Sequence, residues 1–187
     1  MPVRPVRIYG DPVLREKAVE VATVDESLRA LIADMRDTMK AYNGVGLAAN
    51  QVGVARRVLV VDVPVDEDRR AQYAIVNPVI VSRSGSESSE EGCLSIPGIL
   101  DDVTRAFRIK LRGLDEWGTP IEIEAEEYLA RALQHEVDHL DGVLFVDRLS
   151  LLKRQFLRRA LDALARGELP ESSRPSSARR SSAGGEP

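Results

Sequence analysis

The chain contains two histidines, and they stand four residues apart in His135-Glu136-Val137-Asp138-His139. Around them, the apolar residues Leu129, Ala132, Leu133 and Leu140 fall at helical offsets, which predicts a helix from Glu127 to Leu140 with one face packed on a sheet. On such a helix, residues four apart lie one turn above each other, so both imidazoles can grip a single cation. Glu136 is adjacent on the same surface, where a carboxylate can activate a bound water without itself being a ligand. Two ordinary histidines on a partly buried helix are the bland alternative. One longer metalloprotease pattern would continue to a third histidine, but the chain has Gly142 in register and Phe145 where that histidine would stand. The third ligand must therefore be Cys, Asp, Glu or a main-chain group, and Cys93 is the only thiol.

A length of 187 residues supports one ordinary core and hence one domain. With 43% hydrophobic and 30% charged residues the chain reads as a soluble globular protein, and a net charge of -4 gives no general attraction to DNA or to an anionic membrane. Met1 to Gly10 carries Arg4 and Arg7 with no apolar run behind them, so neither a secretory signal nor a membrane span is expected, and the expected location is the cytoplasm. A lone cysteine forms no internal disulfide and is either a packed small side chain, a redox handle, a nucleophile or a ligand.

Thr23 and Glu26 read as a capping box for a helix from Glu26 to Tyr42, in which Leu28, Leu31, Ile32, Met35 and Met39 recur at helical spacing. Asn43 to Gly53, rich in glycine and small residues, reads as a turn and an extended stretch that other groups can approach closely. Val58 to Val63, Tyr73 to Val81, Phe107 to Leu114 and Ile121 to Ala125 read as strands. Asp66 to Arg70 and Ser82 to Glu90 read as polar loops, and Ile96-Pro97-Gly98 as a turn. Leu149 to Arg166 reads as a terminal helix with its basic side in solvent. The expected architecture is an α+β single domain, with a largely antiparallel sheet packed around a central metal-binding helix, plus a C-terminal helix. Its expected limits are residues 1–168, followed by a disordered Ser/Pro/Arg/Gly tail over 169–187.

Three segments together carry a more specific resemblance: Gly44-Val45-Gly46-Leu47-Ala48-Ala49-Asn50-Gln51, Glu91-Gly92-Cys93-Leu94-Ser95 and Gln134-His135-Glu136-Val137-Asp138-His139. In content and order they resemble the signature motifs of the peptide deformylases, and the similarity runs from about Val6 to about Leu164. The resemblance implies a hydrolase that removes the formyl group from N-formylmethionine of nascent polypeptides and releases formate. By the same resemblance Cys93, His135 and His139 hold one divalent metal per chain, Fe(II) first, with zinc, nickel or cobalt as substitutes. Three protein ligands leave a fourth position for water, which a cation converts to hydroxide near neutral pH.

The resemblance further assigns Glu136 as general base and acid, and Gln51 with the amide of Leu94 as donors to the oxyanion. Val45 and Gly46 pair with the substrate backbone, Tyr128, Arg131 and Ala132 contribute to the methionine pocket, and Glu91 is a further substrate-binding residue. Arg131 is expected to extend its charged head to solvent while its stem packs, or else the pocket is shallower than typical. Arg105 is expected to pair with Asp138 behind the site. Leu100 stands where the family can have an arginine. The basic C-terminal helix is a candidate ribosome contact. A metalloprotease acting on internal peptide bonds and a metal-binding module without catalysis are the competing readings.

Overall fold

The computed structural model of the protein describes residues 3–170. The expected tail, apart from Leu169 and Pro170, lies outside the described residues.

Helix α1 (Glu26–Ala41) is capped by Asp25, whose carboxylate accepts from the Leu28 amide at 2.9 Å. The expected box on Thr23 is thereby corrected: the cap lies two residues later, directly before the first helical residue. The chain then forms β1 (Gly46–Ala48), β2 (Val58–Pro64), β3 (Arg70–Ser84), β4 (Glu87–Cys93), β5 (Ile96–Arg105), β6 (Arg108–Leu114) and β7 (Pro120–Glu126). Helices α2 (Glu127–Leu140) and α3 (Leu151–Ala165) follow. Every strand pair is antiparallel, in a five-stranded sheet of order β1-β2-β3-β6-β7 and a separate ribbon of β4 and β5.

β2 shows why the sheet needs a helix on each face. Val58 and Val60 join Leu28, Ile32, Met35 and Met39 of α1 in one apolar cluster. The alternate residues Leu59, Val61 and Val63 join Leu129, Leu133, Val137 and Leu140 of α2 in another. Complete burial of each such side chain contributes about 1.5–3 kcal/mol, so the run of valines and leucine in β2 is satisfied only between two layers. Helix α2 is enclosed all round: every residue from Leu129 to Leu140 is buried. A third cluster, with Leu14, Ile96, Val103, Phe145, Leu161 and Leu164, joins the ribbon and α3 to the N-terminal segment.

Two segments expected as irregular are strands. Most of Ser82 to Glu90 belongs to the end of β3 and the start of β4, and its polarity reflects exposure on a ribbon rather than absence of pairing. Ile96 opens β5 opposite Cys93, while the next matched pair is Leu100 with Gly92, so Pro97, Gly98 and Ile99 form a bulge. Gly98 accommodates it with φ of +79°. In α3 only Leu161 and Leu164 are buried; Leu151, Leu152 and Phe156 are exposed, the last at 79%. The apolar residues of α3 thus occupy more than its packed face.

Candidate metal centre

Helix α2 sets His135 and His139 one turn apart with their Nε2 atoms at 3.2 Å. β4 ends on Cys93 beneath them, and its Sγ lies 3.1 Å from Nε2 of His139. One ligand atom from each of the three residues lies within 4.8 Å of the others. Metal bonds of about 2.0 Å to nitrogen and 2.3 Å to sulfur imply tetrahedral edges of about 3.3–3.6 Å. The two separations to His139 Nε2, 3.2 Å from His135 and 3.1 Å from Cys93, are close to those edges, so the three residues could hold a single ion. Among themselves the three make an awkward set. Burial alone would lower the His135 pKa, but the Cys93 and Glu91 side chains hold it well above the usual value. His139 is driven well below it, by burial first and by His135 second. Crowded lone pairs sharing too few protons are what a cation relieves.

The other nitrogen of His135, Nδ1, lies 3.0 Å from Glu91 Oε2. A carboxylate there orients the ring and leaves Nε2 directed at the ion. Glu91 is itself held by three cationic or proton-bearing groups: Arg105 approaches through Nε and Nη2, and Arg131 Nη1 lies 2.8 Å from Oε1. Burial would raise the Glu91 carboxyl, but His135 and Arg105 bring it down to about 2. Arg105 also reaches Asp138 at 2.8 Å, and Arg148 closes on the same carboxylate through two nitrogens. A chain of paired charges thus braces the helix from behind.

Arg131 corrects the expectation of a solvent-exposed head. It is 5% exposed, and beyond Glu91 its guanidinium donates to the carbonyls of Val103 at 2.7 Å and Glu87 at 2.9 Å. A two-stranded ribbon leaves half its carbonyls without a strand partner, and buried ones need a donor. The arginine therefore clamps the ribbon carrying Cys93 to the helix carrying the histidines.

Glu136 faces β1. It is 4% exposed, and burial pushes its carboxyl up to about 7. Its Oε2 has no hydrogen-bond partner among the described residues. Gln51, in the short 3-10 turn after β1, accepts from the Ala48 amide at 2.9 Å through Oε1 and directs Nε2 toward Ser95 Oγ (3.1 Å) and Cys93 Sγ (3.5 Å).

A cavity of about 350 Å³ opens over these groups. Every residue expected for catalysis or substrate binding lines it: Gln51, Leu94 and Glu136, then Val45, Gly46, Glu91, Tyr128, Arg131 and Ala132. Cys93 and His135 line it as well, while His139 lies at the closed end, 1% exposed. β1 is an edge strand with β2 on one side only, and Gly46 in it and Gly44 just before it keep the cleft wall thin. Leu100, 59% exposed, stands on the rim.

Three contacts of the site escaped the sequence reading. Arg148 grips Asp138, Ser95 meets Gln51, and Asn50 donates to the His139 carbonyl. Asn50 and Ser95 lie inside motifs already singled out. Arg148 lies beyond the helix end, where no periodicity connects it to Asp138.

The sequence profile of a family described as polypeptide deformylase matches residues 3–155. The chain is 51% identical over 166 residues to a peptide deformylase of Alkalilimnicola ehrlichii, covering 89% of this chain and 93% of that protein. Its fold is similar to the crystal structure of a peptide deformylase from Legionella pneumophila, with a TM-score of 0.81, 48% identity, and coverage of 89% and 98% of the two chains. It is similar also to the peptide deformylase of Ehrlichia chaffeensis in complex with actinonin, with a TM-score of 0.83, 41% identity, and coverage of 91% and 100%. Likeness of this degree, sustained across nearly the whole of each relative, places the chain in the peptide deformylase family of metal-dependent hydrolases.

Proposed function

We propose that Cys93, His135 and His139 hold one divalent ion and that Glu136, Gln51 and the Leu94 amide carry out the reaction that defines the family, hydrolysis of the formyl group from N-formylmethionine with release of formate. The observation that carries this assignment is the convergence of one sulfur and two Nε2 atoms at the base of a cleft that also holds a buried, partnerless carboxylate oxygen. A divalent metal in that position supplies positive charge, which acidifies a bound water and polarises the formyl carbonyl.

The chain's own residues then have distinct tasks. Glu136 removes the proton from the attacking water and delivers it to the departing amine, a shuttle that needs one carboxylate able to reach both atoms. Gln51 Nε2 and the Leu94 amide donate to the oxygen on which negative charge develops; loss of one such donor typically costs about 10²–10³ in kcat. Val45 and Gly46 present the edge of β1 to the substrate backbone. Tyr128 and Ala132 receive the methionine side chain, and the stem of Arg131 adds apolar surface while its head stays on the ribbon. Glu91 contributes to that wall and keeps His135 oriented.

The metal we propose is Fe(II), following the family resemblance. By affinity alone one thiolate and two imidazoles favour zinc, so zinc, nickel or cobalt are substitutes in purified protein. The substrates are formylmethionyl nascent chains, and the place of action is the cytoplasm. Among the described residues no helix is long and apolar enough to cross a membrane. Arg154, Arg158 and Arg159, all exposed on α3, form the surface for ribosome contact.

Formate release from a formyl-Met peptide by anaerobically purified protein, with metal content measured on the same sample, tests the assignment. Activity near one metal per chain, abolished in Glu136→Ala while the metal stays, is the expected result. Full metal loading without deformylation, or cleavage of internal peptide bonds instead, would refute it. For the ribosome contact, reversal of the three arginines to glutamate should abolish salt-dependent co-sedimentation; undiminished binding would discard that surface.

A further inference from the structure

Ser95 is fully buried and held from two sides. Its carbonyl accepts from the Tyr9 amide at 2.8 Å, and its hydroxyl lies 3.1 Å from Gln51 Nε2. At the other end of the same carboxamide, Oε1 accepts from the Ala48 amide at 2.9 Å. The Ala48 N–H decides which end of Gln51 is which, because a flipped amide would set donor against donor. It does not fix the plane, since the group can still pivot about that one bond. A second bond, to Ser95, removes the pivot. Because a carboxamide is planar, anchoring its oxygen and one N–H also sets the direction of the second N–H. That second N–H has only a weak sulfur contact, Cys93 Sγ at 3.5 Å from Nε2, and Gln51 lines the cleft.

We infer that Ser95 is a positioning residue for deformylation, its hydroxyl fixing the plane of the Gln51 carboxamide so that the free N–H stays aimed at the developing oxyanion. The inference rests on Gln51 being an oxyanion donor. A donor fixed in advance costs no reorganisation when charge appears, whereas a pivoting one must be ordered at that moment.

The test is a double-mutant cycle on the full-length, metal-loaded enzyme with a formyl-Met peptide, joined to NMR of the zinc-loaded form. Ser95→Ala should lower kcat about tenfold, the worth of one positioning hydrogen bond, with KM and metal content little changed. In a Gln51→Ala background the same substitution should have no further effect on kcat. In the NMR spectra, the Gln51 side-chain amide of the parent protein should be rigid with two distinct proton shifts, and in Ser95→Ala it should become mobile. An equal loss in both backgrounds, or a rigid Gln51 amide without Ser95, would overturn the inference. Failure of the parent reading is separately visible: Gln51→Ala alone would leave kcat unchanged, and that result overturns both.

Discussion

Gly46→Ala tests the placement of Glu136 with a single added methyl, and KM read beside kcat separates that effect from any on substrate binding. Gly46 lies in β1 and is absent from the positive-φ positions, so the backbone tolerates alanine there. The obstacle is space. A Cβ at this position would stand 2.3 Å from Glu136 Oε1 and 2.9 Å from both Cγ and Cδ. Restoring ordinary contact requires the carboxylate to retreat by roughly 1 Å, and the room for that retreat lies toward the cleft that it lines. β1 cannot yield easily, because it is paired with β2 and bonded to Gln51. A displacement of about 1 Å of a reacting group costs about 10²-fold in rate. The overpacking itself costs about 1–3 kcal/mol. We therefore expect kcat about a hundredfold lower, a modest fall in Tm, and unchanged metal content, since the three atoms nearest the new methyl all belong to Glu136. Gly44→Ala is the control: its nearest contact is Leu94 Cδ1, the far end of a flexible side chain, and the rate should fall no more than about threefold. The assay is formate release with metal quantified in parallel. Retention of kcat within a few-fold by fully loaded Gly46→Ala would mean that Glu136 does not act from the position it occupies here.

Glu91→Gln leaves Arg105 and Arg131 facing a neutral group, and breaking such a buried set should cost about 3–5 kcal/mol in urea denaturation of the loaded protein. Metal should also bind about 10–100-fold more weakly, and unaltered stability and loading would remove Glu91 from the architecture. The same carboxyl sets an acid limit. Its folded pKa of about 2 lies below the ordinary glutamate value of 4.5, so its contribution is present above pH 4.5 and is lost as pH falls toward 2. An acid-denaturation series should show this slope in the parent protein and lack it in Glu91→Gln; parallel curves would contradict the pairing. On α3, Phe156→Ser and Leu152→Ser should change stability by no more than about 0.5 kcal/mol, while Leu161→Ala should cost about 2–5 kcal/mol. Equal losses in thermal melts would show that the exposed residues are covered in solution. Chelation should lower Tm and re-addition of metal restore it, because an ion that binds only the folded chain stabilises it by mass action. A melt indifferent to chelator would place the metal outside the folding equilibrium.

What could be read from the sequence, and what could not, divides along a physical line. Helix α2 and strands such as β2 were legible because their signals are local: apolar period, β-branched runs and a four-residue spacing of ligands. Ser82 to Glu90 was not, because every residue of that stretch is exposed, so it has no apolar alternation to reveal its pairing. Arg131 shows the same limit at the site. From its own helix it reads as a long cation that should reach for water, and nothing within a turn of it argues otherwise. Its partners lie 28 to 44 residues away, on Val103, Glu91 and Glu87. Glu91 has the mirrored history: beside Cys93 it reads as a wall of the substrate pocket, and only the fold shows its two oxygens committed to Arg105, Arg131 and His135. These groups explain one another only jointly. The ribbon supplies Cys93 to the cluster but, having two strands, exposes carbonyls that the interior cannot leave bare. An arginine from the metal helix supplies donors, an acid beside the cysteine balances the arginine, and that acid has an oxygen left to orient the first histidine. Cys93, His135 and His139 are thus locked to each other through the charges behind them, so the buried charges in this core fix the geometry of that cluster.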